Sequence, residues 1–156
     1  MQIRPMRADD VLALARLMMT DPLWQRYDVT ETSAARRLRD GIAEGAAIAV
    51  AEVNGVPAGF IWHVARGAFD RSGYIKLIGV RPEARRQGVG RALMEHAEAA
   101  LFARSADVFL LVSDFNHAGQ AFYRRLGYEQ IGAIPDYVVP GVAELVFRKG
   151  KGQAPA

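Results

Sequence analysis

Ile78-Gly79-Val80-Arg81-Pro82-Glu83-Ala84-Arg85-Arg86-Gln87-Gly88-Val89-Gly90-Arg91-Ala92-Leu93 is the stretch from which the fold of this chain can be read. It begins inside an apolar run, Gly73 to Val80, that predicts a strand. Arg81-Pro82 ends that strand, because proline has no N–H for the ladder and restrains the residue before it. Beyond the glycines, Val89, Leu93, Ala97, Ala100 and Leu101 recur at helical spacing, and Arg91, Glu95 and Glu98 are expected to face water. Val108 to Val112 is short and wholly apolar, as suits a strand covered on both faces. The order strand, helix, strand over Tyr74–Val112 predicts two parallel strands joined by a right-handed crossover.

Working outward, Gln2 to Pro5 reads as a first strand, and Asp9 and Asp10 stand where acids favour a helix start. Val11, Leu14, Leu17 and Met18 follow at helical spacing. The pattern breaks between Thr20 and Thr30, a segment that carries Trp24 and Tyr27, and Thr32 or Ser33 can cap a second helix running to about Glu44. Ala46 to Val53 and Ala58 to Val64 are apolar and partly β-branched, and Asn54-Gly55 between them signals a hairpin. Downstream, a helix over Ala118–Leu126, a strand from Tyr128 to about Ile134 and a strand over Val142–Arg148 complete the alternation. The expected architecture is a mixed α/β sheet, mostly antiparallel, with helices on both faces. One domain over residues 1–149 is expected, followed by a loose polar tail over residues 150–156.

Composition narrows the function classes. The 156 residues are 51% hydrophobic and 24% charged, enough for a sizeable core. Cysteine is absent, which removes disulfides, thiolate metal sites and a cysteine nucleophile together. No leader-like N-terminus or membrane-length apolar run is present, so a cytoplasmic protein without a membrane partner is expected. The formal net charge of +3 permits an anionic ligand without requiring a polynucleotide. Three histidines without paired spacing propose no metal site.

The turn Arg85-Arg86-Gln87-Gly88-Val89-Gly90 carries the chemistry. Glycine lets backbone amides approach a ligand closely, and the helix start behind it adds unpaired N–H groups and a partial positive charge. Arg81, Arg85, Arg86 and Arg91 add cationic side chains, so a pyrophosphate suits the arrangement. By itself such a turn can equally be fold punctuation. It lacks the Lys-Ser/Thr ending of a P-loop and the three-glycine spacing of a dinucleotide fingerprint.

Together with its preceding strand, the segment closely resembles the acetyl-CoA motif of the GCN5-related N-acetyltransferase (GNAT) family, Arg/Gln-x-x-Gly-x-Gly/Ala, with Arg85, Gly88 and Gly90 at the pattern positions. The segment Asn116-His117-Ala118-Gly119-Gln120-Ala121-Phe122-Tyr123-Arg124-Arg125-Leu126-Gly127-Tyr128 resembles the family's Asn-x-x-Ala-x-x-Phe-Tyr-x-x-x-Gly-Phe, with Gly119 in place of the usual alanine. The resemblance implies acetyl-CoA as co-substrate. It implies that amides from Arg86, Gln87, Gly88, Val89, Gly90 and Arg91 bind the pyrophosphate, and that main-chain groups of Ile78, Gly79 and Val80 hold the pantetheine and acetyl carbonyl. It further implies that Asn116 contacts the cofactor and that Tyr123 lies near the thioester sulfur. A phenol of pKa about 10 can protonate a departing thiolate, so Tyr123 is the general-acid candidate.

The base is harder to find. Family members often carry a glutamate on the strand before the turn, where Tyr74-Ile75-Lys76-Leu77-Ile78 contains no acid and Lys76 is expected at solvent. Asp114 reads first as a turn former, His63 as a core histidine, and His96 and His117 as residues of a helix face and a helix start. Trp24–Tyr27 and Ile134-Pro135-Asp136-Tyr137-Val138-Val139-Pro140-Gly141 are candidate walls for an acceptor. Glu144 is expected as an exposed strand residue, its alternative role being contact with an ammonium group. The leading expectation is transfer of an acetyl group to a primary amine on a small molecule, peptide or protein. The rivals are a catalytically silent CoA-binding module and, less favoured, a nucleic-acid-binding domain, which lacks any recognisable motif here. A homodimer is compatible with the sequence but carries no signature in it.

Overall fold

The chain runs through strand β1 (Gln2–Pro5), helices α1 (Val11–Met19), α2 (Pro22–Arg26) and α3 (Glu31–Ala43), strands β2 (Ala47–Val53), β3 (Val56–Ala68) and β4 (Ser72–Val80), helix α4 (Val89–Phe102), strand β5 (Asp107–Ser113), helix α5 (His117–Arg125), and strands β6 (Glu129–Ile134) and β7 (Glu144–Gly150). The computed structural model describes residues 1–153. Its strands form one sheet in the order β1-β2-β3-β4-β5-β7-β6. β4 and β5 are parallel, whereas β1–β2, β2–β3, β5–β7 and β6–β7 are antiparallel. This is the mixed, mostly antiparallel α/β sheet that the alternation predicts.

Local chemistry sets the boundaries. Asn54 and Gly55 both take positive φ, 52° and 77°, the geometry of a tight hairpin between twisted strands. Thr30, two residues before the expected cap, starts α3: its hydroxyl accepts from Ser33 N at 3.1 Å and Ser33 Oγ accepts from Thr30 N at 2.9 Å. The aromatic break is itself partly helical, since Asp21 Oδ1 accepts from Leu23 N and Pro22 occupies the first turn of α2.

The described residues pack as two compact units, residues 1–63 with 77–97 and residues 64–76 with 98–153. In the first, α3 and α4 lie on opposite faces of β3. A Cβ on Gly41 of α3 would come within 2.5 Å of the Trp62 ring, and one on Gly59 within 3.1 Å of Leu93 in α4. Residues 59 and 62 alternate across the strand, so these contacts mark its two sides. Asp10 is buried, serving as more than a helix-start acid: its carboxylate accepts from both Arg4 Nη atoms at 2.7 and 2.8 Å and from Arg7 N at 2.7 Å. The Arg4 guanidinium holds that carboxyl below its ordinary range.

In the second unit, β7 pairs with β5 over Asp107–Ser113 and with β6 over Glu129–Ile134. β5 is fully buried on one face only, because Phe109 and Leu111 remain half-exposed between the buried Val108, Leu110 and Val112. Ala100 of α4 faces outward, and Glu98, expected at solvent, is largely buried with Lys149. The expected loose tail starts inside structure: Gly150 closes β7, and Lys151 N donates to Ala106 O at 2.8 Å. Residues 154–156 lie outside those described.

Candidate functional site

In the first unit, the end of β4 delivers the chain into the arginine-rich turn. Arg81 N donates to Ala58 O at 2.9 Å, the last anchor before the single helical turn Pro82–Ala84. Arg86 and Gly88 then take φ values of 62° and 82°. A non-glycine residue in the left-handed region is costly, and its occurrence in this turn marks a backbone shaped for something other than local comfort. The first helical bond of α4 runs from Ala92 N to Gly88 O at 2.9 Å. The amides of Val89, Gly90 and Arg91 therefore open the helix ahead of its ladder, where the macrodipole is positive.

The side chains of the turn are unevenly used. Gln87 Nε2 donates to Glu83 O at 2.7 Å, which bends that amide back onto the preceding turn. Arg85 Nε donates to Val80 O at 3.3 Å and its Nη2 to Asp21 Oδ2 at 2.6 Å. Arg86 and Arg91 are exposed. Ile78, Gly79, Val80 and the residues from Arg85 to Arg91 are thus brought together at one end of β4, with backbone amides and guanidinium groups as their polar contribution.

In the second unit, Asn116 caps α5, its Oδ1 accepting from Gly119 N at 2.9 Å. A Cβ at position 119 would come within 2.6 Å of the Asn116 side chain, so glycine leaves room for the folded-back cap. Tyr123 lies further along the same helix, 8% exposed, with its ring 6.4 Å from Phe147 and 6.0 Å from Tyr128. Burial, and after it the neighbouring Tyr74, pushes its phenol well above the ordinary value. A group so placed keeps its proton at every ordinary pH.

The other candidates sort clearly. Asp114 is a cross-link between segments: its Oδ2 accepts from Ala143 N at 3.1 Å and its N–H donates to Ala143 O at 2.9 Å. Glu144, expected at the surface, is buried to 5% exposure at the start of β7, opposite Ser113 in the β5–β7 register. A buried carboxylate there had no local signal, because its neighbours read as an ordinary strand end. Lys76 is half-buried where solvent was expected, and like Glu144 it is engaged with a partner. Among the described residues no group of three or more metal-ligating side chains occurs, and no helix is long and apolar enough to cross a membrane.

His63 is half-buried, and its Nδ1 lies buried without a hydrogen-bond partner. Burial, then the nearby His96, lowers its pKa below 6.5. Because the folded state prefers the neutral ring, the unfolded chain takes up the proton first as pH falls. The resulting stabilisation is complete above pH 6.5 and is lost progressively below it. Urea midpoints are expected to drop between pH 7.5 and 5.5, and to drop less in His63→Gln. Equal slopes in the two proteins would remove His63 from the account.

Known proteins align with both units. The acetyltransferase (GNAT) family profile matches residues 11–128. An acetyltransferase from Pectobacterium atrosepticum is 31% identical over 136 residues, spanning 86% of this chain and 92% of its own. Among solved structures, an aminoglycoside 6'-N-acetyltransferase complexed with coenzyme A superposes with a TM-score of 0.76 at 16% identity, covering all of both chains. A ribosomal-protein-alanine N-acetyltransferase from Brucella melitensis superposes with a TM-score of 0.74 at 20% identity, covering 96% of this chain and 99% of its own. At those identities the two structures speak to the fold.

Proposed function

This chain belongs to the acetyltransferase (GNAT) family, and from that premise we propose that residues 1–149 form an acetyl-CoA-dependent N-acetyltransferase domain acting on a primary amine. The observation that carries the proposal is the helix start at Val89. Three amides precede the ladder of α4, behind a turn with two left-handed residues. A diphosphate fits such a set of donors. Support for coenzyme A in particular comes from the motif match at Arg85, Gly88 and Gly90 and from the aminoglycoside 6'-N-acetyltransferase of like fold that is complexed with coenzyme A.

β4 supplies a second feature. Its parallel ladder with β5 pairs Gly73 to Ile75 with Val108 to Leu110, and β4 runs on to Val80. An extended pantetheine arm can hydrogen-bond to main-chain groups of Ile78, Gly79 and Val80 as another strand would.

Chemistry then follows from the reactants. The neutral amine attacks the thioester carbonyl, the tetrahedral intermediate expels the thiolate, and the ammonium loses a proton to solvent. Tyr123 is assigned to the sulfur as the general-acid candidate. Its raised pKa makes complete transfer to the thiolate uphill, so its role is donation of a strong hydrogen bond while the C–S bond breaks. Asn116 keeps its Nδ2 for the cofactor, since Oδ1 serves the helix cap.

The acceptor class follows the family's breadth: a small molecule, as for the aminoglycoside enzyme, or a protein amine, as for the ribosomal-protein enzyme. The test is release of free CoA from acetyl-CoA that depends on added amine, across polyamines, amino acids, aminoglycosides and N-terminal peptides. The second reading, a CoA-binding module without turnover, is favoured by the absence of an acid from Tyr74–Ile78, where the family resemblance implies a glutamate. CoA binding with no amine-dependent release across that panel would establish it.

Gly88 provides an independent check. Its φ is 82° and a Cβ there would meet nothing within 4 Å, so substitution strains the backbone without a clash. Gly88→Val is expected to cost about 1–2 kcal/mol of loop geometry and to raise KM for acetyl-CoA about tenfold with kcat nearly unchanged. An unchanged KM would take the turn out of the donor site.

A further inference from the structure

Two hairpin turns in this chain ask the same of their central residues, a left-handed φ at both positions. Asn54-Gly55 meets that demand with residues that tolerate it. The turn between β3 and β4 does not. Arg71 N donates to Ala68 O at 3.1 Å and closes it, and its central residues Phe69 and Asp70 take φ of 56° and 49°. A phenylalanine there is strained, because its Cβ crowds the following carbonyl. It is also 82% exposed. Arg66 holds the strained turn in place, its Nε and Nη2 donating to Asp70 O at 3.0 and 2.8 Å.

The Phe69 ring meets the Phe109 ring edge-on, with centroids 5.4 Å apart. Phe109 and Leu111 are half-exposed on β5, and the register sets Arg148 and the half-exposed Val146 of β7 opposite them. Side chains alternate along a strand, so these four share one sheet face, and Asp107 shares it with them. The helical segments of this unit pack on the other face, where Phe147 meets Tyr123 and Lys149 meets Glu98. Phe69 therefore extends an apolar strip of Phe109, Leu111 and Val146. Charges of both signs border it: Arg148 Nε donates to Asp107 Oδ1 at 2.7 Å, and Arg66, Asp70 and Arg71 are exposed at the turn.

We propose that this face is an isologous interface between two copies of the chain, anchored by Phe69. A two-fold contact needs a patch that matches its own image, apolar centre on apolar centre and mixed charge on mixed charge. Three arginines and two aspartates beside one apolar strip meet that condition, since a two-fold rotation can turn the aspartates of one copy toward the arginines of the other. A phosphate-bearing surface matches less well, because it would press its anions against Asp70 and Asp107. Aromatics that fill a partner's pocket are the usual anchors of such contacts. The strain at Phe69 then has its compensation outside the single chain. The inference is independent of the donor-site reading and adds a partner to it.

The experiment is sedimentation velocity of the full-length chain over a concentration series, in wild type, Phe69→Asn and Phe69→Gly. Asparagine and glycine both suit a left-handed position, so each variant keeps the turn while deleting the ring. Wild type is expected to dimerise as concentration rises. In both variants the dimer is expected to be about thirtyfold weaker, the effect of losing one anchoring aromatic. Thermal midpoints in dilute solution, where every protein is a monomer, are expected not to fall, which separates loss of the contact from loss of the fold. A wild type that stays monomeric throughout the series overturns the proposal, and so does a dimer of equal strength in both variants. Monomeric wild type that cosediments with phosphatidylserine vesicles, when Phe69→Asn does not, overturns it in favour of a membrane surface.

Discussion

Tyr123→Phe is expected to lower kcat for amine-dependent acetyl transfer by about 10²- to 10³-fold, the usual worth of one positioned hydrogen-bond donor at developing charge, while CoA affinity holds. The substitution is clean because the ring stays. Its contacts with Phe147 and Tyr128 are made by aromatic edges and faces that phenylalanine also has. Only a hydroxyl held protonated by burial is lost. The same burial predicts that the wild-type rate profile shows no alkaline limb from this phenol near its ordinary value of about 10. Stopped-flow detection of free CoA, with acetyl-CoA and amine both saturating, measures the change. Full turnover in Tyr123→Phe across the pH range would sink the assignment and send the search for a proton donor elsewhere.

The largest effect on stability is expected from Lys149→Met. Lys149 Nζ bonds Glu98 Oε2 at 2.7 Å, with the two side chains only 9% and 13% exposed, and the ammonium sits 5.6 Å from the Tyr128 ring centroid. Removing the lysine leaves a buried carboxylate whose other oxygen already has no partner, which is expected to cost about 3–5 kcal/mol. Replacing both charges is different. Lys149→Met with Glu98→Leu removes the desolvation cost along with the attraction, and is expected to recover most of the loss. Urea unfolding of the two single variants and the double variant closes the cycle. A double variant as unstable as the single would show that the pair's packing, and not its charge, is what matters. The Tyr128 hydroxyl, buried beside Glu98 and also without a partner, stays protonated because burial and then that carboxylate push its pKa up.

These two sites differ in how much of them can be seen in the chain. Tyr123 falls in a short motif whose spacing places it on α5, and the helix formed at His117–Arg125 within a residue of expectation. Glu98 and Lys149 are 51 positions apart. Glu98 lies on the polar side of an amphipathic pattern and reads as solvated, and Lys149 falls just past the expected last strand with no partner indicated. Glu144 misleads in the same way. Helical and strand periods report which residues share a face, and they are silent on which neighbour later covers that face.

What the sequence determines by itself is local. Asn54-Gly55 makes the hairpin because both positions must take positive φ, Pro82 ends β4 because it cannot donate to a ladder, and the glycines of Arg85-Arg86-Gln87-Gly88-Val89-Gly90 open the helix that follows. Family membership comes from the same short-range patterns, in the turn and in the segment from Asn116 to Tyr128. What only the tertiary structure decides is pairing over long separations. The sheet order sets β7 beside β5, and it is through the fold that Lys149 finds Glu98, Trp62 fills the space at Gly41, and Asp21 reaches Arg85. The physical reason is that a charge or a ring has no preferred partner along the chain. Its environment is set by chain closure over tens of residues, after the local rules have done their work.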